Sequence, residues 1–257
     1  MIREKVRISG LIITFNEEKN ISELLKNIDF VDEIIVIDSF STDKTKEIAL
    51  KNSKVNFIEN KFEDFTKQRN FALSKANFDW ILFIDGDERI PTDLKNEILE
   101  TLNNSEAKDA YYFYRKYMFN ETPIHFSGTQ TDKNFRLFKK SKSSYKQERL
   151  VHETLEVNGS IGAFKSKLLH FSYFNFDESK RKMKQYGVLK AKELDLKNIK
   201  SNMVSRLIKP TYKFLYAFII RLGFLDGYKG AIICYLHAYS VYITYKELKK
   251  LNLNKKF

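Results

Sequence analysis

The chain has 257 residues, 43% of them hydrophobic, and a formal net charge of +12. That length and apolar content fit one large or two modest folded domains and exclude a disordered polymer. Its single cysteine, Cys234, excludes a disulfide framework and a cysteine-based zinc site, and suits a reducing compartment.

The charge is unevenly placed. Residues 1–110 carry 16 Lys/Arg against 22 Asp/Glu and the remainder 29 against 11, a split of −6 against +18. A basic half calls for an anionic partner, nucleic acid or a membrane surface, although a biased genome composition enriches lysine as well. Met1–Ser9 is charged and lacks the apolar stretch of a signal peptide, so the expected location is cytoplasmic. The apolar run from Gly230 to Thr244 is broken by His237 and Ser240 and falls short of the roughly 20 residues of a bilayer span.

In chain order, Val6–Phe15 reads as a strand, and Ile21, Leu24, Leu25 and Ile28 recur at helical spacing. Glu33–Asp38 is a second strand, and Ser41-Thr42-Asp43 offers caps for a helix to about Asn52. Val55–Glu59 is a third strand, followed by a helix near Phe65–Lys75 and a fourth strand, Trp80–Ile84. Thr92 can cap a helix carrying Leu94, Ile98, Leu99 and Leu102. Such alternation predicts βαβ units and an α/β fold with a mostly parallel sheet flanked by helices. Residues 110–176 then turn strand-like and aromatic, over Tyr111–Tyr117, Asn134–Lys139 and Lys167–Tyr173, which predicts a mixed-sheet flap. Beyond Asp177 the pattern is helical and basic: Asp177–Leu196, Asn202–Leu222 and Asp226–Leu251, with Pro210 kinking or starting the middle helix. The expected division is a sheet domain over 1–176 and a helical region over 177–257.

Asp85-Gly86-Asp87-Glu88 directly follows the buried-strand run Trp80–Ile84. An extended backbone would put Asp85 and Asp87 on one face, with Gly86 letting a ligand approach the main chain. Hard cations such as Mg²⁺ take one or two carboxylates and complete their shell with water and phosphate oxygens. Taken alone, the tetrapeptide reads equally as an acidic turn before a helix, with Glu88 as a helix-start residue. Ligands of open α/β sheets bind beyond the carboxyl ends of the strands, however, and the second and fourth strands both lead to aspartate, Asp38 and Asp85.

Four ordered motifs, Ile12-Ile13-Thr14-Phe15-Asn16-Glu17, Ile37-Asp38-Ser39 through Thr45, Lys67-Gln68-Arg69-Asn70 and Phe83-Ile84-Asp85-Gly86-Asp87-Glu88, together resemble family 2 glycosyltransferases of the GT-A fold. Arg149-Leu150-Val151-His152-Glu153 and Arg221–Gly227 are similar to the branch that includes bacterial lipopolysaccharide-core β-1,4-glucosyltransferases. Phe126-Ser127-Gly128 departs from the Gly-Trp pair of many branch members.

The resemblance implies a metal-dependent, inverting transfer of a hexose, glucose favoured, from a UDP-sugar to a saccharide or lipid-linked saccharide acceptor such as lipopolysaccharide inner core. It puts Thr14, Asn16 and Glu17 near the uracil and ribose, Asp38 on the base, and Asp85 facing ribose and metal. Asp87 becomes the principal ligand of Mg²⁺ or Mn²⁺, and Arg69 reaches the nucleotide or diphosphate, where a planar bidentate donor suits phosphate. Inversion needs a carboxylate base on the acceptor hydroxyl, and Glu153 is the candidate. His152 and His170 are possible metal or phosphate ligands, and Arg136 could bind acceptor or leaving group. A sugar nucleotidyltransferase would usually carry a glycine- and lysine-rich loop after the first strand, where this chain has Asn16-Glu17-Glu18-Lys19.

Lys209, Lys213 and Arg221 interleave with Tyr212, Phe214, Leu215, Tyr216, Phe218, Ile219 and Ile220, a composition suited to peripheral docking on the anionic inner face of the cytoplasmic membrane. The same composition fits a helix packed on the catalytic domain with solvated lysines, or a non-catalytic lipid-binding module. No RNP-type signature accompanies the basic residues, so no nucleic-acid partner is expected.

Overall fold

The computed structural model describes residues 6–146, 155–173 and 175–254. Contacts group them into two units, one formed by 6–115, 132–146 and 155–170, the other by 116–131, 171–173 and 175–254. In chain order the elements are β1 (Ile8–Thr14), α1 (Ile21–Asn27), β2 (Glu33–Asp38), α2 (Thr45–Ala49), β3 (Val55–Glu59), α3 (Phe65–Lys75), β4 (Trp80–Phe83), β5 (Glu88–Arg89) and α4 (Thr92–Asn103). There follow β6 (Ala110–Phe119), β7 (Thr122–Pro123), β8 (Lys133–Lys139), β9 (Ser143–Tyr145), β10 (Leu155–Val157), β11 (Ile161–Ala163) and β12 (Leu168–Tyr173). Three helices close the chain: α5 (Phe176–Leu196), α6 (Met203–Leu215) and α7 (Gly227–Asn254).

The first unit is a twisted sheet buried on both faces. Strands β3, β2, β1 and β4 run parallel in that order, and β8 then joins β4 antiparallel, with β6 antiparallel to β8. Along β2, Ile34 and Val36 enter one apolar cluster with Leu24 and Leu25 of α1, Ile28 just after it, and Leu94, Ile98 and Leu102 of α4. Ile35 and Ile37 enter the other, against Ala72 and Leu73 of α3. Successive side chains of a strand face opposite ways, so a continuous apolar run is what a doubly covered strand requires. Trp80 is core, as its place in an apolar run implies.

Two expectations change. The helix after β2 spans only Thr45–Ala49: Asp43 is held in a turn ahead of it, accepting from the Thr45 amide at 2.9 Å and the Glu18 amide at 3.1 Å, and Leu50 takes the C-cap position. Thr92 is the first helical residue of α4, and Pro91 takes the cap position, where its carbonyl accepts from the Lys95 amide at 2.9 Å.

The second unit is helical. Asn202 caps α6 in a reciprocal box with Ser205, and Pro210 lies inside the helix rather than at its start. The expected continuation to Leu222 gives way to a π-helical turn over Tyr216–Ile220, closed by the Arg221 amide donating to the Tyr216 carbonyl at 2.9 Å. Its core joins Phe119, Ile124 and Tyr173 to Ile233 and Leu236 of α7. Packing is close enough that a Cβ on Gly230 would lie 2.0 Å from the Gly223 carbonyl oxygen.

Candidate active site

Strand register brings the predicted site residues of the first unit to one rim. Thr14 pairs with Asp38, so β1 and β2 end at one level, and β4 ends at Phe83 opposite Leu11, three residues short of that level on the same edge of the sheet. Three exits at one edge leave main-chain and side-chain polar groups without ladder partners, and they lace together instead. The Asn16 amide donates to Ser41 Oγ at 2.8 Å, Asn16 Oδ1 accepts from the Thr42 amide at 2.8 Å, and the Glu17 amide donates to Thr45 Oγ1 at 2.8 Å. Asn16 adopts φ 55, a left-handed conformation that Asn tolerates better than most residues. Asp38 is buried and accepts from the Ser41 amide at 2.7 Å and from Ser41 Oγ at 2.5 Å. Its carboxylate therefore holds the loop that holds Asn16. Thr14 Oγ1, also buried, has no hydrogen-bond partner among the described residues, and Phe15 beside it is 57% exposed.

Below this rim lies a buried ionic cluster. Asp85 Oδ1 accepts from Arg69 Nη2 at 2.9 Å, and Asp85 Oδ2 accepts from Arg136 Nη2. Arg136, 3% exposed, also donates to Glu88 Oε1 at 2.6 Å, and Glu88, 0% exposed, accepts the Asp85 amide at 3.1 Å. Arg115 Nη1 lies 3.7 Å from Glu88 Oε1, and its Nε donates to Asp132 Oδ2 at 2.6 Å. Arg69 packs over the Phe83 ring, 4.4 Å from its centroid. Burial alone would push the Asp85 carboxyl up, but the Arg136 and Arg69 guanidiniums hold it well below the usual carboxylate range. Burial also opposes the charge of Arg136, and Asp85 and Glu88 outweigh it, so this guanidinium is more firmly protonated than a free one.

Residues 85–88 form a turn, with the Glu88 amide donating to the Asp85 carbonyl at 3.0 Å, and not the extended segment that would align Asp85 with Asp87. The turn sends the two carboxylates to different partners: Asp85 to the guanidiniums, and Asp87 Oδ2 to His170 Nε2 at 3.3 Å. His170 is delivered by β12, whose Leu169 and His170 pair with Arg89 and Glu88. The room beside Gly86 belongs to the protein as well. A Cβ there would sit 3.0 Å from Glu17 Cδ, while Arg89 Nη1 donates to the Gly86 carbonyl at 2.8 Å.

Charge and donor chemistry both fit a divalent cation at Asp87 and His170. Among the described residues, Arg69, Arg89, Arg115 and Arg136 stand against Glu17, Glu23, Asp85, Asp87, Glu88 and Asp132, which leaves two carboxylates in excess when the imidazole is not counted. One carboxylate oxygen and one imidazole nitrogen 3.3 Å apart form an O,N pair that suits Mn²⁺ better than the oxygen-seeking Mg²⁺, with the rest of the shell left to phosphate and water. The described residues contain no cluster of three or more His, Cys, Asp or Glu able to cage a metal unaided.

The structure thus gathers Arg69, Asp85, Asp87 and Arg136 around one turn and keeps Thr14, Asn16, Glu17 and Asp38 at the adjoining rim. His152 and Glu153 lie outside the described residues. Sequence reasoning treated Glu88 as a helix start and passed over Arg115 and Asp132. Nothing in local sequence distinguishes a buried glutamate from an exposed one; its partners arrive from β6 and β8, far along the chain.

Residues 9–169 match the sequence model described as Glycosyl transferase family 2. The chain belongs to that family. This family 2 glycosyltransferase is 28% identical over 263 residues to an uncharacterized glycosyltransferase of Rickettsia typhi, covering 96% of this chain and 88% of the relative. It is 26% identical over 253 residues to the lipopolysaccharide core biosynthesis glycosyltransferase LpsC of Rhizobium meliloti, covering 93% of each. Among solved structures, Staphylococcus aureus TarS 1–349 in complex with UDP-GlcNAc covers 98% of this chain and 92% of its own at 17% identity, with a TM-score of 0.49. The glycosyltransferase has the α/β class expected of it, but its sheet is mixed: the parallel run β3-β2-β1-β4 is extended by antiparallel strands. No helix among the described residues is long and apolar enough to cross a membrane.

Proposed function

We propose that this glycosyltransferase moves a hexose, with glucose favoured, from a UDP-sugar to a saccharide acceptor of lipopolysaccharide inner core, with inversion at the anomeric carbon and with Mg²⁺ or Mn²⁺ bound. The observation that carries the reading is the Asp87–His170 pair beside the guanidinium-clamped Asp85, at the carboxyl end of a parallel strand. The relative LpsC, named for lipopolysaccharide core biosynthesis, supports the acceptor class. A lipid-linked acceptor and an anionic membrane surface complete the proposed partners.

In this reading Asp87 and His170 hold the cation. When bound, it supplies Lewis acidity, neutralising charge that builds on the departing diphosphate. Arg69 and Arg136 fix Asp85 in one orientation, ionised, so that its remaining lone pairs can accept from ribose hydroxyls. Asp38 acts through the loop it anchors, keeping Asn16 and Ser41 in place around the nucleoside. Thr14 ends β1 beneath the base, and the exposed ring of Phe15 offers it a stacking face. Glu17 packs against Gly86 and limits how close a diphosphate can come on that side. Glu153 takes the proton of the acceptor hydroxyl as it attacks from the face opposite the leaving group.

Calorimetric titration with UDP-, GDP- and dTDP-sugars in the presence of Mn²⁺, followed by transfer assays, tests the reading. Uridine should bind tightest; preference for another nucleotide removes the assignment around Thr14, Phe15 and Asp38.

A further inference from the structure

The middle helix of the second unit wears its apolar face outward. Of the thirteen residues of α6 only Ser205 is buried. Val204, Ile208, Tyr212, Tyr216 and Ile220 form one row at four-residue spacing and all are exposed, Ile220 at 65%. Beside it run Met203, Leu207, Leu215 and Ile219, also exposed, Met203 at 68%. A row at four-residue spacing drifts around an α-helix of 3.6 residues per turn; the π turn at Tyr216–Ile220 holds more residues per turn and reverses that drift. The stripe therefore continues past the end of α6. Leu222, at φ 57, then turns the chain so that Phe224, Leu225 and Tyr228 stand in solvent too. An amphipathic helix in a water-soluble unit turns this face to the core.

The charges around the stripe identify what covers it. Residues 200–229 contain six Lys/Arg and one acid, Asp226. That acid is turned inward, accepting from the His125 and Phe126 amides at 3.0 and 2.9 Å and from Ser127 Oγ at 2.9 Å. Lys209 and Lys213 are exposed beside the apolar rows, and Lys209 donates to Tyr245 Oη at 2.7 Å. Protein interfaces are depleted of lysine at their cores, whereas an apolar stripe with a lysine border and exposed tyrosines suits the plane between lipid headgroups and acyl chains.

We infer that the exposed stripe of α6, its π turn and the 222–228 segment form a docking surface for an anionic phospholipid bilayer, on which the protein lies without spanning it. The inference rests on the proposed reaction for its purpose, since it brings the enzyme to the surface where a lipid-linked acceptor resides, but not for its test.

The test is co-sedimentation of the full chain with phosphatidylglycerol-containing vesicles and with pure phosphatidylcholine vesicles, comparing wild type with the triple variant Leu207→Glu, Ile208→Glu, Leu215→Glu. Circular dichroism and UDP titration check that the variant stays folded, and analytical ultracentrifugation without lipid reports the oligomeric state. Wild type should favour the anionic vesicles, and the variant should partition at least about tenfold less. Equal partitioning of the two proteins, no preference for anionic lipid, or a wild-type dimer that the variant dissolves while vesicles bind neither protein would overturn the inference, the last making the stripe an interface between copies. UDP binding with no vesicle binding removes the docking surface alone; vesicle binding with no nucleotide binding removes the reaction alone.

Discussion

In the sheet unit, Glu88, Arg136 and Arg69 are charged and withdrawn from water, whereas in the helical unit Tyr212, Ile219 and Ile220 are apolar and stand in it. Both arrangements cost stability in an isolated molecule: buried charge forfeits hydration, and exposed apolar surface forfeits burial. The compensations differ in kind. Charges of the first unit find one another inside the fold, around Asp85, so that most of their compensation is internal before any ligand arrives, with an excess of carboxylates left over. The apolar stripe of the second unit is left uncovered by the described residues. Its compensation has to come from outside, which is why the first region is read as a site and the second as a surface.

The comparison breaks soonest at the metal pair. Asp87→Ala removes the carboxylate partner of His170 and should lower the rate of sugar transfer by about 100-fold or more while leaving the unfolding midpoint within experimental scatter; unchanged rates in that variant, or in excess chelator, would show that the excess charge has no catalytic use. Glu153→Gln should keep UDP affinity and lose turnover by about 100-fold or more, as expected for a general base. Normal turnover would remove Glu153 from that role.

Arg136→Leu tests whether compensation is internal. It leaves Asp85 and Glu88 facing each other without their shared guanidinium and should cost about 3–5 kcal/mol in urea unfolding. A loss below about 1 kcal/mol would mean the cluster is better hydrated than its burial indicates. The pH dependence sharpens the same point. Asp85 has a lower pKa folded than unfolded, so its contribution is fully present above the unfolded carboxylate value near 4 and is lost as pH falls through the lower folded value. The urea midpoint of wild type should therefore drop on acidification below about pH 4, and that part of the drop should shrink in Arg136→Leu. Smallest of all, Leu207→Glu should change the unfolding free energy by about 0.5 kcal/mol or less, because the side chain is already exposed. A larger loss would show that the stripe is packed in solution.

Much of the first unit was legible beforehand. Strands β2 and β3 and helix α3 fall where periodicity put them, because alternating and continuous apolar runs are local signals. Asp38 and Asp85 could be assigned to one rim because parallel strands leave their ends together. Less legible was what each carboxylate does there. Asp38, expected at the base, also accepts from Ser41 and so anchors a loop; Glu88 looked like a helix start and is the most buried acid of the cluster. Those outcomes depend on Arg115, Arg136 and His170, which sequence distance separates and the sheet brings together.

The sequence by itself determined the α/β class, the order of the strands' motifs, the acidic turn after β4 and the basic, aromatic character of the helical region. These follow from residue type and spacing, which act over a few residues. Tertiary structure decided that the 85–88 turn splits Asp85 from Asp87, that His170 becomes the partner of Asp87, and that α6 turns its apolar rows outward. A composition rich in Tyr, Ile and Lys is the same whichever way a helix is rotated, and only the packing of Ser205 and Ala217 inward fixes which face water sees.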